Sequence, residues 1–301
     1  MGEPAGEGRR AHGTKMQTHE AMGEDTLGNR DFARLAALVY SEAGIRLGPE
    51  KRTMLEARLK RRLRALALDS YARYCDLLFS EEGRGDERIR FIDVVTTNKT
   101  DFFREAGHFD FLAQRALPEW TARGMDRPML LWSAGCSTGE EPYTLAMVLS
   151  EYAEAHPGFR FRILATDIST AVLEKAEMSV YTIDSVGPVA PELRRKYLLR
   201  SRDRSSNHVR IAPELRRLVD FRRLNFMDAD YGLEQKADAI FCRNVLIYFD
   251  RPTQERILRR LTDCLMPGGF LFVGHAETLH DMRLPLTPAG TALYRRNDAR
   301  T

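Results

Sequence analysis

Residues 129–141 read MLLWSAGCSTGEE, and they give the clearest indication of the fold class. A short apolar run leads into a glycine-containing turn, and a helical pattern begins around Glu141 with Pro142 in its first turn. A buried strand that enters a helix in this way is typical of parallel α/β sheets. Gly135 and Gly139 permit the tight turn and the close approach of a ligand. Because many α/β proteins carry glycines at this place, the loop alone predicts the fold and leaves the ligand open.

The acidic pair Glu140 and Glu141 narrows the class of ligand. Carboxylates at this turn would repel the pyrophosphate of a dinucleotide, whereas they would attract the ammonium and sulfonium groups of S-adenosylmethionine. The alternative is that both acids only complement the dipole of the helix that follows. Taken with the glycine loop, the pair favours an S-adenosylmethionine site.

Strands alternate with helices from residue 129 onward. Further strand-like runs are RFRILAT (160–166), VDFRRLNF (219–226), ADAIFC (237–242) and FLFVG (270–274). A helix from Pro252 to Leu265 ends before a Pro-Gly-Gly turn, and TALYRR (291–296) is predicted to be a late edge strand. This alternation predicts an α/β fold with a doubly wound parallel sheet.

The chain divides into three parts. Residues 1–26 contain very few apolar side chains, so we expect a disordered tail. Residues 27–95 carry helical patterns and predict an all-helical N-terminal domain. The sheet domain spans residues 96–298. Within it, residues 179–218 break the alternation with the short candidate strands YLLR and HVRI, which predicts an inserted antiparallel β-subdomain.

Candidate ligand-binding residues follow two of the predicted strands. Asp167 ends the second strand, where a carboxylate can accept hydrogen bonds from both ribose hydroxyls of an adenosine. The alternative is that Asp167 caps the next helix. Arg243 and Asn244 follow the fourth strand, and ligands bind outside the carboxyl ends of strands in open sheets. Tyr248 lies in the same loop and can face the same ligand, with a buried structural tyrosine as the alternative.

The segment TTNKTDFFRE, residues 96–105, joins the two predicted domains. Asn98 and Thr100 are good capping residues, and capping alone would explain them. If Arg104 faces the cleft, it can form a bidentate clamp on a carboxylate; the alternative is an exposed helix arginine.

Composition argues against several functions. A net charge of +3 does not indicate a protein that neutralises many phosphates. The loop after the fourth strand lacks the D/N-P-P-Y/F sequence of many nucleic-acid amino-methyltransferases. No run of about 18 apolar residues predicts a membrane span, and the first residues lack a secretory signal. The four cysteines show no C-x-x-C spacing, as expected in a reducing cytosol, and the seven scattered histidines predict no metal site.

The second predicted helix is strongly basic. It bears seven basic residues between positions 51 and 64. At about 100° per residue, Lys51, Arg58 and Arg62 fall on one side, with Arg61 beside them. Most basic runs are only solvated faces. Because positions 50 to 68 hold only two acids, we expect a docking surface for an acidic partner, with nucleic acid as the competing partner.

Five motifs together resemble those of the chemotaxis receptor methyltransferase (CheR) family. In chain order they are TTNKTDFFRE, WSAGCSTGEEPY, ATDIS, FCRNVLIYFD and PGGFLFVGHAE. The similarity covers about residues 27–296. It implies a class I methyltransferase domain with an all-helical N-terminal domain and a small inserted antiparallel β-subdomain. It also implies S-adenosylmethionine as the cofactor and glutamate side chains of bacterial chemoreceptors as the substrate.

The resemblance also implies roles for individual residues. The cofactor contacts that it implies are Asn98, Thr100, Arg104, Glu140, Asp167, Asn225, Phe226, Asn244 and Val245. The receptor contacts that it implies are Lys51, Arg58, Arg61, Arg62 and Arg64. In some members the inserted subdomain also binds a peptide at the receptor's C-terminus, and the sequence does not decide this point. We expect a cytoplasmic monomer that binds the helical domain of chemoreceptors, without nucleic acid or membrane insertion.

Esterification of glutamate sets modest chemical demands. The acceptor carboxylate is ionised at neutral pH and needs no general base. Because an anion and a cation combine, a dry cleft and accurate placement should supply most of the rate enhancement. The candidate catalytic residues are therefore the positioning groups Arg104 and Tyr248.

Overall fold

The computed structural model describes Gly2 and residues 26–124, 126–203, 205–280 and 282–297. The helices of these residues are α1 (Asn29–Ala43), α2 (Arg52–Ala65), α3 (Tyr71–Phe79), α4 (Asp86–Val95), α5 (Gly107–Phe111), α6 (Leu117–Ala122), α7 (Glu140–Ala155), α8 (Thr170–Met178), α9 (Pro191–Tyr197), α10 (Pro213–Arg216) and α11 (Arg251–Cys264). The strands are β1 (Met129–Ala134), β2 (Phe161–Asp167), β3 (Val180–Thr182), β4 (Leu198–Arg200), β5 (His208–Ile211), β6 (Val219–Arg223), β7 (Ala237–Cys242), β8 (Leu265–Val273), β9 (Leu286–Gly290) and β10 (Leu293–Arg296). The predicted tail lies outside the described residues, apart from positions 2 and 26.

Helices α1 to α4 form the N-terminal domain around their own apolar core. In α2, Leu55, Leu59 and Leu63 recur every four residues and are buried on one face. Burial of such a face stabilises a helix more than its intrinsic propensity does. Helix α1 ends at Gly44, which has the left-handed φ of 70°. A methyl group on Gly44 would lie 2.6 Å from Met227 Sδ, so the turn after α1 packs directly on the second domain.

The second domain is built on a seven-stranded sheet with the order β6-β2-β1-β7-β8-β10-β9. The first five strands are parallel, and β10 runs antiparallel to both β8 and β9. This topology confirms the predicted doubly wound sheet. Strands β1 and β7 are buried along their whole length, as expected for parallel strands covered on both faces.

The prediction that residues 291–296 form an edge strand is wrong. Strand β10 lies inside the sheet, and β9 forms the edge. Strand β9 has the sequence LTPAG and is mostly exposed. Proline lacks the N–H that a central strand would donate to its neighbour, so it is tolerated on edge strands, but a short run with proline and glycine carries almost no strand signal.

The inserted β-subdomain is also confirmed. Strands β3, β5 and β4 form a separate antiparallel sheet in that order. The two strand candidates of the sequence, YLLR and HVRI, correspond to β4 and β5. Among the described residues, no helix combines the length and the apolar character that crossing a membrane requires.

Candidate active site

A cavity of about 330 Å³ lies where the two domains meet. Its walls come from the turn after α1, from the segment that joins the domains, and from the loops after β1, β2 and β7. These loops leave the carboxyl ends of neighbouring parallel strands, which is where open α/β sheets bind ligands. The volume lies within the range of about 300–1,000 Å³ that is usual for small-molecule sites.

The glycine loop after β1 packs closely against the loop after β7. Gly135 has a φ of 90°, and a methyl group there would lie 2.5 Å from Val245 Cγ2. Gly139 has a φ of 96°, and a methyl group there would lie 2.8 Å from the Tyr181 hydroxyl. Glycine is therefore required at both positions for conformation and for space.

Asp167 ends β2 and lines the cavity, where it is buried. Its two carboxylate oxygens accept backbone N–H bonds from Ser137, at 2.9 Å, and from Ser169, at 3.0 Å. Burial raises the pKa of this carboxyl, and the two backbone donors oppose the shift. The carboxylate thus joins the glycine loop to the start of α8 and keeps free lone pairs for further donors.

The acidic pair at the start of α7 divides between two environments. Glu141 lines the cavity; its carboxylate accepts a hydrogen bond from Ser133 Oγ at 2.7 Å and pairs with Arg243 at 3.1 Å. Glu140 is buried outside the cavity wall and accepts a hydrogen bond from Thr138 Oγ1 at 2.6 Å. Burial raises the pKa of both carboxyls. The cofactor role of Glu140 stays a prediction. Of these two acids, only Glu141 lines the cavity.

The joining segment contributes Asn98, Thr100 and Arg104 to the cavity wall. The Asn98 carbonyl accepts a hydrogen bond from Ser137 Oγ at 2.9 Å, which connects this segment to the glycine loop. The Arg104 guanidinium donates to the Lys99 carbonyl at 3.0 Å, and the residue lines the cavity. These residues therefore belong to an ordered loop, not to the cap of a long helix.

Asn225 and Phe226 follow β6 and also line the cavity. The Asn225 amide donates to the Glu42 carbonyl at 2.6 Å, and its oxygen accepts from the Met227 N–H at 3.0 Å. Phe226 is buried in the core beside Phe249. Asn225 thus connects the two domains, and its cofactor role stays a prediction.

The loop after β7 places Asn244, Val245 and Tyr248 on the cavity wall. Asn244 has the left-handed φ of 59°, and its buried Oδ1 has no hydrogen-bond partner among the described residues. The Tyr248 carbonyl accepts a hydrogen bond from the Arg46 N–H at 3.1 Å. Burial raises the pKa of the Tyr248 hydroxyl, and the charges of Arg104 and Arg58 oppose this shift.

The basic residues of α2 have two different environments. Arg58 donates to the carbonyls of Val95 and Thr96, at 2.7 and 2.9 Å, at the end of α4. Arg62 pairs with the buried Glu87, which also accepts a hydrogen bond from a tyrosine hydroxyl at 2.9 Å. Lys51, Arg61 and Arg64 are exposed, and Lys51 also lines the cavity. Arg58 and Arg62 therefore stabilise the helical domain, and their receptor role stays a prediction.

One group of potential metal ligands forms in the fold although the sequence predicts no metal. Glu105, His108 and His275 each present a ligand atom within 4.8 Å of the others. The Glu105 carboxylate is already paired with the Arg243 guanidinium at 3.1 Å. Because that pairing neutralises the only anionic ligand, we assign no metal to this group.

The residues of the cavity fit S-adenosylmethionine. Asp167 and Glu141 offer carboxylates for hydroxyl and ammonium donors, and the unpartnered Asn244 Oδ1 offers a further acceptor. Buried acceptors without partners are rare in folded proteins unless a ligand or water completes them. The positive charge of a sulfonium would also be favourable near the buried Asp167 carboxylate, which pairs with no cationic side chain among the described residues.

Comparison with known proteins identifies the family. The family model described as CheR methyltransferase, SAM binding domain matches residues 98–293, and the model described as CheR methyltransferase, all-alpha domain matches residues 30–96. Proteins named chemotaxis protein methyltransferase from Salmonella typhimurium and Escherichia coli are 40% and 41% identical over 268 residues. These alignments cover 89% of this chain and 90% and 91% of the two relatives. The chain belongs to the CheR methyltransferase family, and S-adenosylmethionine is its cofactor.

Proposed function

We propose that this methyltransferase esterifies glutamate side chains of chemoreceptors. The observation that carries the proposal is the charge of the cavity wall beside Tyr248. Besides the paired Arg243, four cationic residues line the cavity that also contains Tyr248, namely Arg46, Lys51, Lys99 and Arg104, and they outnumber the acids there, which are Asp101, Glu141 and Asp167. Cations at this place favour an anionic acceptor. The relatives' name, chemotaxis protein methyltransferase, indicates that the acceptor belongs to the chemotaxis system.

The chemistry requires positioning and no base. When bound, S-adenosylmethionine supplies a methyl group on a positively charged sulfur. A glutamate acceptor with a pKa of about 4.3 is ionised at neutral pH, so no residue has to remove a proton. Arg104 and Tyr248 remain the candidate positioning residues, and the raised pKa of Tyr248 keeps its hydroxyl neutral and able to donate a hydrogen bond.

An acidic amphipathic helix suits the surface around the cavity. Ile247 is 54% exposed beside Tyr248 and offers an apolar contact. Lys51, Arg61 and Arg64 are exposed on or beside α2 and can pair with acids on the same partner helix. A helix with one apolar and one acidic face would satisfy both sets of contacts, with electrostatic pairing mainly accelerating association.

The proposed reaction is tested with purified cytoplasmic fragments of a chemoreceptor and labelled S-adenosylmethionine. We expect label in the fragment that mild base releases as methanol, because carboxyl methyl esters hydrolyse under these conditions and N-methyl groups do not. Replacement of the candidate receptor glutamates by alanine should abolish labelling. Base-stable label, or label in RNA alone, would show a different acceptor.

Charge reversal on α2 should impair receptor methylation selectively. Replacing Arg61 and Arg64 by glutamate is expected to lower kcat/KM for the receptor about tenfold, since like charges would then oppose an acidic partner. The Kd for S-adenosylmethionine should not change, because neither residue lines the cavity and exposed charges are screened beyond about 10 Å at 0.1 M salt. Kinetics with receptor fragments and calorimetry with the cofactor measure the two quantities.

The matched control on the same helix is Arg62→Ala. This change leaves the buried Glu87 without its cationic partner, although the tyrosine hydrogen bond remains. It should destabilise the helical domain by about 2–3 kcal/mol, below the full value of a buried pair because Arg62 is partly exposed. Chemical denaturation would measure this loss. An equal loss of stability in Arg61→Glu/Arg64→Glu would assign those residues a structural role and remove them from the docking surface.

The β-subdomain offers a second docking element. Val180 on β3 and Leu199 on β4 are 46% and 50% exposed, and both strands are edges of their sheet. A peptide can add to such an edge as a further strand, and we propose that the receptor's C-terminal peptide binds here to a cytoplasmic, monomeric enzyme. Titration with that peptide tests the proposal, and Val180→Asp should then weaken binding.

A further inference from the structure

Arg243 is a buried cation that joins three parts of the cavity wall. Its side chain is 2% exposed. One nitrogen lies 3.1 Å from a Glu141 carboxylate oxygen, and the other lies 3.1 Å from a Glu105 carboxylate oxygen. The guanidinium also donates to the Arg104 carbonyl and lies over the Phe109 ring at 5.4 Å. We call Arg243, Glu105 and Glu141 the Arg243 cluster.

The segment held by this cluster has an unusual backbone. Phe103 and Glu105 have φ values of 53° and 56°, and both flank Arg104. Non-glycine residues in this region are strained and persist where surrounding contacts fix them. The hydrogen bond to the Arg104 carbonyl and the ion pair with Glu105 are such contacts. Arg243 therefore fixes the backbone position from which the Arg104 side chain extends.

The same cluster fixes the groups that face the cofactor. The second Glu105 oxygen accepts from the Asn244 amide at 3.3 Å, which leaves Asn244 Oδ1 as the unpartnered acceptor. Glu141 is held from two sides by Arg243 and Ser133. Burial alone would raise the pKa of Glu105, but its interaction with Arg243 holds this pKa below the ordinary range. Glu105 is therefore an acceptor that orients the Asn244 amide.

We propose that Arg243 is a positioning residue for the cofactor site. It sets Asn244 and Glu141 for S-adenosylmethionine and Arg104 for the acceptor through its contacts with these protein groups, and it also lines the cavity itself. Only a planar guanidinium can reach both carboxylates and the carbonyl at once, since a lysine ammonium is a single point donor on a flexible stem. For its effect on methyl transfer, the inference rests on the proposed function; for its effect on cofactor binding, it does not.

The decisive measurement is the Kd of S-adenosylmethionine in Arg243→Lys. We expect this Kd to rise about tenfold while the protein stays folded, because lysine keeps the positive charge but loses the bidentate geometry of the guanidinium. Arg127→Lys is the matched control. Arg127 makes a bidentate ion pair with Asp238, at 2.6 and 2.8 Å, at the opposite end of strand β7. The Arg127→Lys variant should lose stability without a change in its affinity for S-adenosylmethionine.

A second variant guards against an effect of general unfolding. In Arg243→Ala, guanidinium ion at a non-denaturing millimolar concentration should restore cofactor affinity, whereas methylammonium should not. An unchanged Kd in Arg243→Lys would overturn the proposal, as would an equal rise in Arg127→Lys or a complete lack of rescue. Failure of receptor methylation by the wild-type protein would reject the proposed acceptor alone, because cofactor binding is measured without a receptor.

Discussion

Replacing Asp167 with alanine is expected to weaken S-adenosylmethionine binding about a hundredfold, because charge-assisted hydrogen bonds to a buried carboxylate contribute about 1.5–3 kcal/mol each. Asp167 lies on the cavity wall at the end of β2, where a ribose is expected. The same change removes the acceptor of the Ser137 and Ser169 N–H groups. Calorimetry on the folded variant measures the loss.

The conservative variant separates charge from shape. Asp167→Asn keeps the side-chain volume, but its NH2 group would face one of the two backbone N–H donors that the carboxylate accepts from. The variant should therefore also bind the cofactor weakly. Thermal unfolding of both variants shows how much of the loss comes from the loop itself. An unchanged Kd in Asp167→Ala would reduce Asp167 to a connection between the glycine loop and α8.

The pKa of Asp167 also predicts a dependence on pH. Burial raises this pKa in the free protein. A carboxyl with a raised folded pKa favours the native state when protonated, so its contribution to stability falls as the pH rises through that value. Ribose hydroxyls that donate to the carboxylate favour the ionised form. Cofactor affinity should therefore increase with pH above the ordinary carboxyl range of about 4, until Asp167 is fully ionised.

The sequence predicts the sheet because its signal is local. Buried parallel strands are short apolar runs, and each run here is bounded by a glycine turn or a helix. Asp167 is predictable for the same reason, since its place at a strand end follows from the strand alone. Strand β9 is not predictable, because LTPAG has no apolar alternation and its single β-branched residue, Thr287, stands next to a proline.

Side-chain partners from distant segments could not be predicted. Helical spacing places Arg58 and Arg62 on the basic face of α2, but only the fold brings the end of α4 and Glu87 to them. The Arg243 cluster joins residues that are more than a hundred positions apart in the chain. The adjacent acids at the start of α7 gave a signal for a cationic ligand, but which one faces the cavity depends on how the helix sits against the sheet.

Tyr248→Phe is expected to lower the turnover rate about ten- to a thousandfold, the effect of losing one or two positioning contacts. The ring stays, so the contacts of the loop after β7 are kept and only the hydroxyl is removed. Tyr248 lines the cavity close to Arg104, whose charge acts on its hydroxyl. Single-turnover kinetics with a receptor fragment measure the methyl-transfer step, and the Kd for S-adenosylmethionine serves as the control that should not change.

The pH profile distinguishes a positioning hydroxyl from a catalytic acid or base. Glutamate is ionised and tyrosine is neutral from about pH 6 to 9, so a positioning role gives a flat profile in both the wild type and Tyr248→Phe. Burial raises the pKa of Tyr248 further, which moves its titration away from this window. A bell-shaped wild-type profile that loses one limb in the variant would show that the hydroxyl titrates during catalysis. Normal turnover in Tyr248→Phe would instead leave the ring with a packing role only. Because an ionised acceptor needs no proton removed, we expect the flat profile together with the slower enzyme.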